Sequence, residues 1–468
     1  MGITYEEAVK AQSLCEEQLL QDPNVLSVGV VAETTELGEA TGNYVIQVGV
    51  SSIEEYRNTL RHGDSMIPKE YILTSEAAGE KHIRISVVKQ GEISALLRPP
   101  VTESLADATD EIQASVAGNA NALRHRPAAC GYSIGHPTVT SGTIGLLVTY
   151  TEGPDAGKAF ILSNNHVLAA NNSAYVGDDI VQPGRHDQGV VGADTIAFLH
   201  RWVPIDMRGS NFVDAALAEV RGGTSSWSEY VTPFVAKIGY PGECDEAKIG
   251  MEVEKSGRTT EYTQGRVMSI NTTIKVKYTM GLVTFKNQIQ TTSMSKGGDS
   301  GSCLFEQKSK RPVGLLFAGS DAASFHNHIG PVMSSLTQPS INFYPGGKQQ
   351  AFLKTNPLLI LRRKYCTSSY ALFQQQKIGA SGGMSASPLR QSTRLRQVYH
   401  TSTPAFLNRA PMAAGNLFPP SIKRGSLLAA VGISSLLSVS KMWQSKSNTA
   451  PIAGGSATGK PSQLGPSR

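Results

Sequence analysis

The 468-residue chain is poor in cysteine, and the five it has, at 15, 130, 244, 303 and 366, are odd in number and widely spaced, with no Cys-x-x-Cys. That excludes a disulfide framework and is the pattern of free thiols in a reducing compartment. The first residues lack a basic stretch followed by an apolar run, so no secretory leader is expected. Glu6 stands where a myristoylation signal needs Ser or Thr. Long apolar runs are missing too: residues 427–439 are interrupted by Ser434 and Ser435, and fall short of the roughly 18 residues a spanning helix needs. The expectation is an intracellular, cytoplasmic chain with no transmembrane segment.

Acidic residues are absent from position 351 onward, where fifteen Lys and Arg occur. Residues 1–350 therefore hold 28 basic and 38 acidic groups, a net charge of −10, and the overall value of +5 describes neither part. An acidic body argues against nucleic acid as a partner. Residues 346–468 are rich in Ser, Gln, Arg, Gly and Pro. Such a segment buries too little apolar surface to offset its ordering entropy, and a disordered basic tail is expected. Its composition is that of a mitochondrial transit peptide at the wrong end of the chain. A tail that contacts acidic partners or membrane surfaces, an unusual address, and a fusion of two reading frames are the competing readings.

What is present is glycine, 46 residues, with only 7% aromatics, which suits a loop-rich β protein in two or three domains. Residues 4–21 carry Ala8, Ala11, Cys15 and Leu19 at steps of three and four, the spacing of an amphipathic helix. Runs at 25–31, 44–50 and 83–88 read as strands, and Ser52 as the cap of a crossing helix, so residues 1–90 form a small α/β module. Residues 91–129, with Pro99-Pro100 and an Ala-rich stretch, read as a linker with a possible helix. From 130 to 345 short apolar runs recur between Gly and Pro turns, at 143–150, 158–163, 214–220, 265–270, 281–285 and 313–318, as in a β-sandwich or barrel.

Three places in that region carry chemistry. Lys296-Gly-Gly-Asp-Ser-Gly301 surrounds Ser300 with glycine, which lets the amides of Gly298 and Ser300 turn into one concavity. One such donor to a developing oxyanion is worth roughly 3 kcal/mol of barrier. His166 directly follows a predicted strand. Asp214 sits inside the apolar run Asn211-Phe-Val-Asp-Ala-Ala-Leu-Ala218, where an unpaired carboxylate is costly and a histidine would partner it. Asp194 and Asp206 compete for the role from less apolar surroundings.

In this order, and separated by 48 and 86 residues, His166, Asp214 and Ser300 resemble the catalytic triad of the trypsin-like (chymotrypsin-fold) serine proteases, bacterial-type branch. Pro312-Val-Gly-Leu-Leu-Phe-Ala-Gly319 resembles the strand that lines their first specificity pocket, and the stretch from Ser256 to Val267 resembles a hairpin of the bacterial members. The N-terminal module resembles regions attached to some bacterial trypsin-like proteins. The resemblance implies an all-β domain of two six-stranded antiparallel barrels at 130–345. It implies hydrolysis of protein or peptide substrates through an acyl-enzyme, without metal or cofactor. It makes His166 the base, Asp214 its orienting group, Ser300 the nucleophile, and the Gly298 and Ser300 amides the oxyanion hole. Met294, Phe317, Ala318 and Gly319 would line the pocket.

The sequence departs from that pattern in several places. Asn164-Asn165 precede the histidine, Glu261 replaces a common Gly, and no processed N-terminus is evident to pair with Asp299. Met294 stands where enzymes that cut after Arg or Lys are acidic, which points to an apolar or small pocket. His326 and His328 would face either an acidic substrate group or solvent, and Cys303 would pack on a strand. A catalytically silent scaffold and an esterase using the same site are the alternatives.

Overall fold

In a computed structural model the residues described are 2–35, 37–75, 79–96, 119–226, 228–337 and 358–360. The chain begins with α1 (Tyr5–Leu19), which buries Ala8, Ala11, Cys15 and Leu19. It is capped by Thr4, whose hydroxyl accepts from the Glu7 amide while the Glu7 carboxylate accepts from the Thr4 amide. Strands β1 (Val25–Thr34) and β2 (Ala40–Val50) pair antiparallel. α2 (Ile53–His62), capped by Ser52, leads to β3 (Glu70–Ser75) and β4 (Gly79–Lys89). β4 lies parallel to β2, an arrangement that needs a crossover connection such as α2. A two-residue strand, β5 (Ser94–Ala95), follows.

The next stretch contains β6 (Ala128–Cys130), β7 (Ser133–Ile134), β8 (Gly142–Thr143), β9 (Leu146–Tyr150), β10 (Lys158–Ser163) and a single helical turn, α3 (Asn165–Leu168). It continues through β11 (Asp179–Val181), β12 (Thr195–Trp202), β13 (Ser210–Asn211), β14 (Ala216–Thr224) and β15 (Val231–Val235). Last come β16 (Glu252–Gly257), β17 (Glu261–Tyr278), β18 (Gly281–Thr292), β19 (Cys303–Glu306), β20 (Pro312–Gly319), β21 (Ala323–His328), α4 (Ile329–Ser335) and β22 (Leu358–Ile360).

These strands form two principal sheets. The smaller has the order β11-β12-β14-β10-β9-β22. The larger has twelve strands and runs β13-β18-β21-β20-β19-β16-β17-β1-β2-β4-β3, with β5 set against β17 and β20. The expected all-β pair of closed six-stranded antiparallel barrels is therefore corrected to a mixed β architecture with helices. The smaller sheet is open, ending on β11 and β22. The larger takes in the N-terminal strands and contains parallel pairs, β2 with β4 and β13 with β18. The reason lies in β17, which at 18 residues is far longer than a usual strand. Its edge offers unpaired backbone groups, and β1 takes them through Ser27↔Ile274 and Val28↔Thr273.

The main core joins the smaller sheet, α3 and α4 to residues of β19 and β20, with Phe160, Leu162, Val167, Leu217, Phe305 and Met333 among its members. A second core gathers α1 and the strands β1 to β4. Part of the expected tail is ordered into a strand: Leu358 pairs with Tyr150, and Ile360 with Val148, on the edge of β9. The rest of the tail and the possible helix of the linker lie outside the described residues. Among the described residues no helix is long and apolar enough to cross a membrane.

Candidate active site

Three strand ends meet where the sequence places its chemistry. β10 stops at Ser163, and the turn of α3 carries His166. The two asparagines before it, unusual by resemblance, act as clamps. Asn164 Nδ2 donates to the Asp214 carbonyl at 2.7 Å, and Asn165 Nδ2 to the Val203 carbonyl at 2.7 Å. Asp214 stands two residues before β14, its amide donating to Asn327 Oδ1 at 2.9 Å. Both side chains are fully buried.

The His166 and Asp214 side chains are hydrogen-bonded, Nδ1 to Oδ2, at 2.5 Å. The His166 amide also donates to Asp214 Oδ1 at 3.3 Å. A carboxylate can only accept, so Nδ1 of the neutral ring carries the hydrogen and Nε2 keeps its lone pair. Tyr278, at the end of β17, donates its hydroxyl to the same Oδ2 at 2.7 Å. Burial, followed by the charge of Asp214, pushes the Tyr278 hydroxyl well above its ordinary pKa, so it remains a donor. No pattern along the chain marks this tyrosine, which is 64 residues from its partner. The rival Asp194 receives Arg124 Nε at 2.6 Å, and Asp206 caps its own turn at the Arg208 amide.

Ser300 lies between Gly298 and Gly301, both with positive φ, +98° and +91°. At Gly301 a side chain is also excluded by space. A Cβ there would meet Ser163 Oγ and stand 2.5 Å from the Thr143 carbonyl. Thr143 ties the serine turn to the histidine strand. Its amide donates to the Ser300 carbonyl at 2.8 Å, its hydroxyl to the Gly298 carbonyl at 2.9 Å, and its carbonyl accepts from Ser163 Oγ at 2.8 Å. Ser300 Oγ and His166 Nε2 are both buried polar atoms without a hydrogen-bond partner. The Gly298 amide donates to the Leu96 carbonyl at 2.6 Å.

Asp299 is held by a set the sequence did not reveal. It accepts from the amides of Thr259 (2.8 Å), Thr260 (3.1 Å) and Lys296 (3.0 Å) and from the Thr260 hydroxyl (2.7 Å). Lys255 Nζ lies 3.3 Å from its Oδ2, with both side chains fully buried. Burial lowers the Lys255 pKa and the Asp299 charge opposes the shift. An internal lysine thus faces Asp299. Beside it, Arg258 makes a two-point ion pair with buried Asp187 and donates its amide to Thr143 Oγ1 at 3.0 Å. The stretch from Ser256 to Thr260, marked in the sequence only as a hairpin, is the support beneath the serine turn.

The pocket residues divide between two clusters. Phe317 and Ala318 pack with Ile93, Ala95 and Phe325. Met294 packs with Val253, Val267 and Leu304, its sulfur toward Gly265. Gly319 faces Leu96, whose methyl carbons would stand 3.3 Å from a Cβ placed there. His326 is fully buried and His328 half-buried, so of the two alternatives the solvent-facing one fails for His326. Burial pushes His326 down to about 3 and lowers His328 as well. Cys303 is buried, and burial pushes its thiol well above the ordinary value, so it packs as an apolar residue. Among the described residues no three His, Cys, Asp or Glu side chains converge as metal ligands.

No family model matches the chain. It is 38% identical over 111 residues to Serine protease 1 of Streptomyces fradiae, a match covering 21% of this chain and 27% of that protein. The chain thus spans about a quarter of that relative's length. Several solved structures of bacterial proteases are similar to part of this chain. Protease A of Thermobifida fusca is 19% identical, with 45% of this chain and 97% of that one covered and a TM-score of 0.33. Nocardiopsis protease is 19% identical, with 45% and 96% covered and a TM-score of 0.32. These similarities concern the fold alone.

Proposed function

We propose that the protein is a serine endopeptidase, with Ser300 as nucleophile, His166 as general base and Asp214 as the group that orients the base. The observation that carries this reading is the His166–Asp214 hydrogen bond of 2.5 Å at Nδ1, with Nε2 left unpartnered. That arrangement fixes the one tautomer able to take a proton from a serine hydroxyl. Ser300 Oγ is also without a partner, and Thr143 bonds its turn to the histidine strand. The amides of Gly298 and Ser300 are the proposed oxyanion donors. Removing one such donor typically costs a factor of about 100–1,000 in rate. Substrates are proteins or peptides, in keeping with an apolar pocket wall of Phe317 and Ala318.

A fluorophosphonate probe tests the assignment. Labelling of Leu96→Asp, whose cleft no longer holds the chain's own leucine, is the expected result, and it should be lost when Ser300→Ala or His166→Ala is added. A folded Leu96→Asp protein that fails to label would overturn it. A peptide-library digest run beside simple esters then separates endopeptidase from esterase.

A further inference from the structure

The carbonyl held by the Gly298 amide is the chain's own. β5 adds to β20 as an antiparallel strand, with Ala95 opposite Ala318 and Ser94 opposite Gly319. One residue further on, the Leu96 amide donates to the Phe317 carbonyl at 3.3 Å and the Leu96 carbonyl accepts from Gly298 at 2.6 Å. An extended peptide captured by strand addition gains affinity from its backbone bonds and specificity from alternate side chains. Here Leu96 is buried, with its side chain against Gly319. Upstream anchors hold the segment in register: Ile93 O accepts from the Lys277 amide at 2.8 Å, and Gln90 Nε2 donates to Ser320 Oγ at 2.8 Å. A carbonyl whose oxygen rests on an oxyanion donor presents its carbon to the nucleophile two residues along the same turn. Ser300 and His166 are fully buried in this arrangement.

We propose that residues 94–96 occupy the cleft in the register of a substrate, and that the protein cuts its own chain at the peptide bond between Leu96 and Leu97. This rests on the reading of Ser300 as nucleophile. Ser300 Oγ bonds to the Leu96 carbonyl carbon and its proton passes to His166 Nε2. The carbon–nitrogen bond breaks as that proton moves to the nitrogen of residue 97, which leaves as an amine. Water then adds to the ester, giving its proton to His166, and the Leu96 carboxylate departs as Ser300 recovers its hydrogen. The residue that fills the first pocket is a leucine, so the same site accepts medium-sized apolar side chains from other chains.

The test uses the full chain as wild type, Ser300→Ala, Leu96→Asp and the milder Leu96→Ala, each checked for a cooperative melt. β1 pairs with β17 and holds the pieces together in the folded state, so fragments are read after denaturation, by intact mass and N-terminal sequencing. The expected wild-type product begins Leu-Arg-Pro-Pro, the sequence from position 97. Ser300→Ala stays whole. Leu96→Asp loses this cut, while its emptied cleft labels with the fluorophosphonate. An intact wild type together with a labelled Leu96→Asp or Leu96→Ala protein would overturn self-cleavage and leave the endopeptidase standing. An intact wild type with no labelling in either variant would overturn both. Cleavage at Leu96 in Ser300→Ala would assign the cut to another protease and also overturn the proposal.

Discussion

Tyr278 and Asp214 are joined by a 2.7 Å hydrogen bond from the phenol to Oδ2, the same oxygen that is bonded to His166 Nδ1. The carboxylate is fully buried and takes part in three hydrogen bonds: two from the backbone and ring of His166, and one from this tyrosine. The orientation of the histidine therefore depends on a residue from the far end of β17.

Tyr278→Phe removes the phenol from a buried charge, a loss of about 1.5–3 kcal/mol. Unfolding in urea should report that loss, and steady-state kinetics a fall in kcat larger than any change in KM. The pH dependence provides a second readout. The Tyr278 pKa is raised in the folded state, so the folded protein holds its proton more tightly than the unfolded chain. That stabilisation is fully present below the unfolded value near 10 and is lost as pH rises toward the folded value. The Phe variant should show a flatter alkaline limb in its melting temperature.

Asp214→Asn should keep the fold and remove the tautomer. An amide can offer its NH2 group to Nδ1, leaving the hydrogen on Nε2, which then cannot accept the serine proton. A drop in kcat of about 10⁴ is the expected scale for such a change. A variant that retains within tenfold of wild-type activity would remove Asp214 from the mechanism.

Lys255 and Asp299 form a buried pair beneath the serine turn. Lys255→Met leaves the Asp299 carboxylate without its counter-ion and should cost about 3–5 kcal/mol. Lys255→Met combined with Asp299→Asn should recover part of that loss, because no buried charge then stands alone. A double-mutant cycle by urea denaturation measures the coupling.

His326 gives the acid limb. Its folded pKa, about 3, lies below the ordinary 6.5 because burial disfavours the charged ring. The unfolded chain binds this proton first. Stability should therefore fall as pH drops through 6.5 and continue falling toward 3, with a slope approaching about 1.4 kcal/mol per pH unit. His326→Gln, which can still bond Thr291, should show a weaker acid dependence in thermal melts across that window.

Some of this was legible along the chain. The α1 face of Ala8, Ala11, Cys15 and Leu19 follows the helical period, and all four are buried. The short strands at 143–150, 158–163 and 313–318 were marked by apolar runs between turn residues, and each contains a strand. The expected closure into two barrels does not occur, and the mixed sheet that replaces it was not legible, because which sheet edge receives β1 depends on the unpaired length of β17, not on either strand's own pattern. The residues at 358–360 read as part of a structureless tail. Three residues carry no usable period, and only the free edge of β9 makes them a strand.

The sequence by itself determined the local chemistry around Ser300, His166 and Asp214. Glycines on both sides of a serine permit the turn, a histidine at a strand's end can be presented by a short loop, and an aspartate among apolar neighbours demands a partner. Each is a property of a few consecutive residues. Only the tertiary structure decided that Tyr278 supports the aspartate, that Lys255 faces Asp299, and that Leu96 rests on the Gly298 amide. Those relationships join residues from tens to more than two hundred positions apart. They arise because burial leaves hydrogen-bonding groups no water to satisfy them, and partners must then be found wherever the folded chain brings them.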